Sequence, residues 1–252
     1  MQRPPGSGRP LILSNRSVSE WINRVAQKHH EFTSRERSQD QDERIRQWVE
    51  VTFVWCTLRL ERPALTEAEV VGAVASANAG QAVTPGVDSE VIALLAGFRL
   101  LKDIALGKGS DAALTPELLL QLHGVSGEFR GSSGETRSAV MPEHLRLIVE
   151  SACRWFSAES FTELNPIEQA SIVHLRLLEI KPFKEANQRV AILAASLFSL
   201  RSGLPPVMIG PDLARAYGKA VEESRSGNTQ PMVELMGAAV ERSLGRMIEL
   251  PV

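Results

Sequence analysis

Aromatic side chains are scarce: they make up 5% of the 252 residues, and tyrosine occurs once. With so few aromatics and with Ala, Leu and Glu plentiful, the composition leans towards helix. Cysteine occurs twice, as Cys56 and Cys153. Two cysteines so far apart exclude a disulfide framework and a cysteine-based metal site. Each sits in an apolar stretch and reads as a small buried side chain in a reducing compartment. Neither sign of charge dominates: 28 Lys and Arg stand against 30 Asp and Glu, a net charge of −2. That balance argues against a general nucleic-acid binder, which needs concentrated positive charge, and leaves only a local basic patch open. No apolar run reaches the roughly 18 residues of a membrane span, and Met1 to Pro10 lacks the apolar core of a signal peptide. The sequence therefore predicts a cytoplasmic protein with no membrane partner. Hydrophobic residues still make up 43%, enough for a full core in one or two domains.

Helical periodicity dominates what is present. Residues 1 to 14, with three prolines and two glycines, read as an irregular lead-in. Val18, Trp21, Ile22 and Val25 then place a helix over 17–31, so that residues 1–40 form an N-terminal extension before a helical domain over 41–252. Ile45, Trp48, Val49, Phe53 and Cys56 carry a helix from Gln41 to about Glu61, before Pro63. Thr66 with Glu69 forms a capping box for a helix reaching Ala77. Ser89 to Ala105 follows. Thr115-Pro116-Glu117 opens another helix, ending near His123. Gly124 to Met141 changes texture, with Gly127, Gly131 and Gly134, and predicts the one short β-hairpin or extended flap. Helices resume at Pro142 to Ala158, Pro166 to Ile180, Asn187 to Ser202, Pro211 to Ser224 and Pro231 to Leu250. The expected fold class is all-α, one compact helical domain with a single flap.

Ile180-Lys181-Pro182-Phe183-Lys184-Glu185-Ala186-Asn187-Gln188-Arg189 joins two apolar helices through a loop whose last residues open the second. Free amides at such a helix start, aided by the helix dipole, suit an anion. This segment resembles the motif of the Fic/Fido family, His-Pro-Phe-x-Asp/Glu-Gly-Asn-Gly-Arg-x-x-Arg. Pro182, Phe183, Glu185, Asn187 and Arg189 match it. Lys181 stands at the His, Ala186 and Gln188 at the two glycines, and Ile192 at the final Arg. The Ala-Asn-x-Arg run also resembles the loop of Doc, a phosphate-transferring branch of the same fold. His174, seven residues before Lys181, and the Gly203-Leu204-Pro205 ending after the second helix fit the family pattern. Gly127, Glu128, Phe129 and Arg130 are similar to the start of the family's flap. Thr57 and Glu61, with Arg62 in place of Gly or Asn, resemble the family's N-terminal inhibitory helix, here 41–62.

The resemblance implies a helical Fic-like domain whose usual activity is AMP transfer from ATP to a protein hydroxyl. In that family the motif His is the general base. Lys181 suits this role poorly, because an ammonium loses its proton only well above neutral pH and neighbouring phosphate would hold that proton more tightly. A cation gripping phosphate and a solvated loop lysine are both open readings of Lys181. The resemblance assigns nucleotide binding to Phe183, Glu185, Ala186, Asn187, Gln188 and Arg189, with Glu185 holding Mg²⁺ through substrate phosphates. Glu185 locked in local ion pairs is the alternative. For Asn187 and Arg189 it is helix capping and a surface charge. Glu61, whose family partner position is Ile192, either pairs with Arg189 or faces solvent. The flap would hold a protein segment by strand pairing or be a plain surface hairpin. His29, His30, His123 and His144 show no spacing for a metal or triad, and none occupies the base position.

Three functions remain open: a pseudoenzyme-like Fic-fold nucleotide-binding or regulatory module with impaired or absent transfer, an active nucleotidyl- or phosphoryl-transferase of altered chemistry, and a helical interaction module without a nucleotide site.

Overall fold

The computed structural model describes residues 15–81, 86–107, 113–126 and 141–250, with side chains from Glu20 onward. The described residues form eleven α-helices and no strand. In order these are α1 (Asn15–Ser34), α2 (Gln39–Arg59), α3 (Glu67–Asn78), α4 (Val87–Leu106), α5 (Pro116–Ser126) and α6 (Glu143–Phe156). Then come α7 (Glu159–Thr162), α8 (Pro166–Ile180), α9 (Asn187–Arg201), α10 (Ala214–Ser224) and α11 (Gln230–Glu249). The chain is all-α. The candidate flap residues Gly127, Glu128, Phe129 and Arg130 lie outside the described residues, as does the expected hairpin up to Val140.

Local chemistry sets the helix boundaries. Thr66 accepts from the Glu69 amide at 3.3 Å while Glu69 accepts from the Thr66 amide at 2.8 Å, so both first-turn donors are satisfied. Ser38 with Gln41, and Asn165 with Glu168, repeat the device at α2 and α8. Thr115 Oγ1 accepts from the Leu118 amide at the start of α5. Three boundaries differ from expectation. Helix α5 runs on through Gly124 to Ser126, where the buried Ser126 hydroxyl bonds back to the Leu122 carbonyl and its side chain packs against α4 at Gly97. The expected helix 142–158 stops at Phe156 because a separate turn, α7, brings Phe161 into the core against Phe156 and Phe198. The expected 211–224 helix begins as a 3₁₀ turn over Pro211–Leu213.

At the centre is α9, buried on all sides from Arg189 to Leu200. A helix apolar around its whole circumference belongs inside other helices, and α8, α4, α5 and α2 surround it. Antiparallel to it, α8 forms a hairpin with it across residues 181–186. The helix of the N-terminal extension lies along α11, with Trp21 and Val25 each 4% exposed, so α1 contributes to the same core. Here Gly237 allows the close approach: a Cβ at that position would lie 2.7 Å from the Trp21 ring. Both cysteines are buried, and burial pushes each thiol up to about 12, leaving them unreactive at neutral pH. No helix among the described residues is long and apolar enough to cross a membrane.

Replacing Gly237 by Ala should force Trp21 to shift and cost about 1–3 kcal/mol, read as a lowered Cm in urea unfolding. Unchanged stability would mean that α1 does not pack on α11 as described.

Candidate functional site

The α8–α9 turn carries the candidate residues. Helix α8 ends on Lys181, whose backbone is left-handed (φ 49°, ψ 62°) and whose amide bonds to the Leu177 carbonyl at 2.9 Å. Pro182 and Phe183 then turn inward, while Lys184 and Glu185 face outward. Ala186 is left-handed as well (φ 58°, ψ 17°) and leads into α9. Among the described residues these two are the non-glycine positions with positive φ. A glycine would take that conformation freely, whereas the Ala186 methyl crowds the following carbonyl.

Two side chains fix the turn. Asn187 Oδ1 accepts from the Phe183 amide at 2.9 Å, and its Nδ2 donates to the Phe183 carbonyl at 2.7 Å. Both polar ends of Asn187 are thus spent on loop closure. From α5, the His123 ring stacks on Phe183 with centroids 4.0 Å apart, and its Nε2 lies 3.3 Å from the Glu185 carbonyl. Desolvation holds the His123 imidazole below its ordinary value, against the pull of Glu185, which favours the neutral ring donating from Nε2. An imidazole therefore contacts the loop, although not from the motif position. Its spacing from the motif, 58 residues before Lys181, carries no signal of this. No side chain caps the start of α9, and the amides of Asn187, Gln188 and Arg189 have no acceptor within the helix.

Arg189 is buried, at 4% exposure, and does not point freely at this opening. Its Nε donates to Glu61 at 2.7 Å and its Nη2 to Glu90 at 3.0 Å. Arg62 completes the cluster, donating from Nε to Glu90 at 2.8 Å and pairing with it again through Nη2. Of the two readings of Glu61, the ion pair with Arg189 is the one seen. The surface-charge alternative for Arg189 is excluded by its burial. Ile192 is 1% exposed within the core, so no receptor for Glu61 exists there. Thr57 is 1% exposed, and its hydroxyl has no hydrogen-bond partner among the described residues.

Sequence reasoning passed over Glu90, yet a signal existed: it lies on the apolar stripe of α4 with Leu94 and Leu101. Glu50 of α2, on the stripe of Phe53 and Thr57, is the parallel case. Burial pushes its carboxyl up, but hydrogen bonds and charge from Arg99 and Lys102 outweigh this and hold it below the ordinary value. Beside that trio runs a groove of about 590 Å³ between α2, α3 and α4, which includes none of the loop residues.

For a metal, the described residues contain no cluster of three or more His, Cys, Asp or Glu suited to an ion. Glu185, on the outer side of the loop, fits the other mode, in which one carboxylate and phosphate oxygens share Mg²⁺. Beneath the loop, the fully buried His174 lies 3.0 Å from the Tyr217 hydroxyl through Nε2. Burial lowers His174 to about 4, and burial followed by the Glu61 charge raises Tyr217.

An all-helical body whose central hairpin presents such a turn at the start of its most buried helix is the Fic architecture. Residues 113–199 match the Fic/DOC family. The chain is 25% identical to protein adenylyltransferase fic-1 of Caenorhabditis elegans, across 97% of this chain and 51% of the relative. It is 28% identical over 103 residues to protein adenylyltransferase Fic of Drosophila melanogaster, covering 41% of this chain and 21% of that one. A Fic-1 fragment from C. elegans superposes with TM-score 0.81 at 22% identity, over 92% of this chain and 71% of that chain. A Fic-domain signaling protein from Bacteroides thetaiotaomicron gives 0.74 at 19% identity, over 91% and 96%. The fold is that of these Fic proteins, and residues 113–199 carry the likeness to the Fic/DOC family. It spans about half the length of the C. elegans relative.

Substituting Ala186 by Gly should relieve the left-handed backbone and stabilise the fold by about 1 kcal/mol, seen as a raised Cm in urea. A lowered Cm would contradict the positive φ. His174 gives a second expectation. Its folded value, about 4, lies below the unfolded 6.5. The unfolded chain therefore takes up the proton first as pH falls, and stability should decline from about pH 6.5 to about pH 4, by about 3 kcal/mol in all. His174→Gln should flatten this decline between pH 7 and 4.5; an unchanged slope would show that His174 is not the group responsible.

Proposed function

We propose that this chain is a Fic-fold nucleotide-binding module that takes ATP at the start of α9 and transfers AMP to a protein hydroxyl weakly or not at all. The observation that carries this reading is the condition of the two motif positions that matter most. Lys181, with no imidazole, ends α8, and the Arg189 guanidinium is engaged by Glu61 and Glu90. In the family pattern the first position supplies the base and the second grips phosphate. Here the phosphates would rest on the open amides of Asn187 and Gln188, with Lys181 and Lys184 as the exposed cations nearby. Glu185 would hold Mg²⁺ through those phosphates, neutralising their charge. The acceptor would be a hydroxyl side chain of a protein target. Adenylyltransferase relatives in nematodes and flies support AMP as the group the scaffold is suited to move.

Calorimetry with ATP and Mg²⁺ should show weak binding, and α-labelled ATP should leave at most a trace of label on the chain. Label from γ-labelled ATP would instead indicate phosphoryl transfer, the chemistry of the Doc-like loop. Restoring Lys181→His, Ala186→Gly and Gln188→Gly together should raise α-label incorporation by on the order of 100-fold, the contribution of a positioned base. Ile192→Arg is left out, because that side chain is buried in the core. Absence of ATP binding in both the native and the restored chain sinks the nucleotide reading.

A further inference from the structure

The Glu61–Arg189 pair does not account for the deepest carboxylate of the cluster. Glu90 has 3% of its side chain exposed against 24% for Glu61, and it accepts from two arginines at once. It comes from the first turn of α4, whereas Glu61 follows α2 and Arg189 begins α9. Three elements therefore converge on two guanidinium groups and two carboxylates, a set that is neutral overall. Arg62 provides the balance. Without it, Glu61 and Glu90 would face a single cation, and one buried carboxylate would be left without its counter-charge.

The division of bonds has a consequence for access to Arg189. Nε is held by Glu61 near the solvent edge, and Nη2 by Glu90 in the dry interior. Loss of the outer bond leaves the inner one, between side chains 5% and 3% exposed, where burial strengthens it. We propose that Glu90 is a second inhibitory carboxylate: together with Glu61 it keeps the Arg189 guanidinium in the junction of α2, α4 and α9 and away from phosphate bound at the start of α9. Freeing Glu61 alone does not release the arginine. This rests on the reading of that helix start as a nucleotide site.

The test combines two readouts on the full chain. Non-additivity of Tm shifts between Glu90→Gln and Arg189→Gln reports the contact itself, whether or not nucleotide binds. ATP–Mg²⁺ titration calorimetry of Glu61→Gln, Glu90→Gln and the double variant reports the inhibition. Expected are a non-additive Tm, less than about threefold tighter binding for Glu61→Gln, and about tenfold or more for the double variant. Should Glu61→Gln/Glu90→Gln fail to fold, Arg62→Gln/Glu90→Gln removes one charge of each sign and leaves Glu61 as sole holder. In that background Glu61→Gln should then yield the full gain. Additive Tm shifts overturn the proposal. So does coupling with equal ATP affinity in every variant, which leaves the nucleotide site standing but removes its inhibition by Glu90. Coupling without ATP binding in any variant overturns the nucleotide reading itself, and with it the inhibitory role.

Discussion

Arg189 begins the most enclosed helix of the molecule, and a guanidinium in that position has to be surrounded by acceptors. An uncompensated buried charge costs about 3–5 kcal/mol when one partner of such a pair is removed. The carboxylates come from outside α9: Glu61 beyond the end of α2 and Glu90 at the start of α4. Their demand for a second cation is met by Arg62. The arrangement of α2, α4 and α9 at this junction follows from the charge pairing as much as from apolar packing. At the other end of the α2–α4 contact, Glu50 with Arg99 and Lys102 repeats the logic. The α2 segment is thereby tied to α4 from the middle of the helix, through Glu50, and just past its end, through Arg62. It is a fixed wall beside the α8–α9 turn and not a loosely attached element.

The turn itself is rigid for a separate reason. Asn187 closes a ring with the Phe183 backbone, and Phe183 is clasped by the His123 ring. These contacts make the approach to the first amides of α9 a shaped surface, not a yielding loop. Ala186 holds a left-handed backbone that a glycine would adopt at less cost, and Lys181, left-handed too, ends α8.

Much of this was legible in the sequence. Capping residues placed helix starts at Thr66 and Thr115, and a proline placed one at Pro166, all matching the structure, because such starts are decided by neighbouring atoms alone. The motif loop between two apolar helices was legible for the same reason. What was not legible depends on contacts across the fold. His123 meets Phe183 only because α5 packs on α9. The inclusion of α1 in the core needs α11, more than 200 residues away. The pairing of Glu61 with Arg189 stood as one of two readings, since a glutamate just beyond a helix end looks the same whether it faces solvent or a buried cation. Glu90 and Glu50 did leave a trace, an acid placed on an apolar stripe, but periodicity shows only that such a group needs a partner and not which one.

Ile192 sits one turn beyond Arg189, where the family pattern carries its last arginine, and it is buried in the hydrophobic core. Arginine introduced there by one substitution would place a second guanidinium in that interior while Glu61 and Glu90 are already committed. Such a variant would carry a buried guanidinium with no free counter-charge, at a cost of about 3–5 kcal/mol. The position therefore admits a cation only together with a new acidic neighbour, so that any change of charge there has to be made in concert with another.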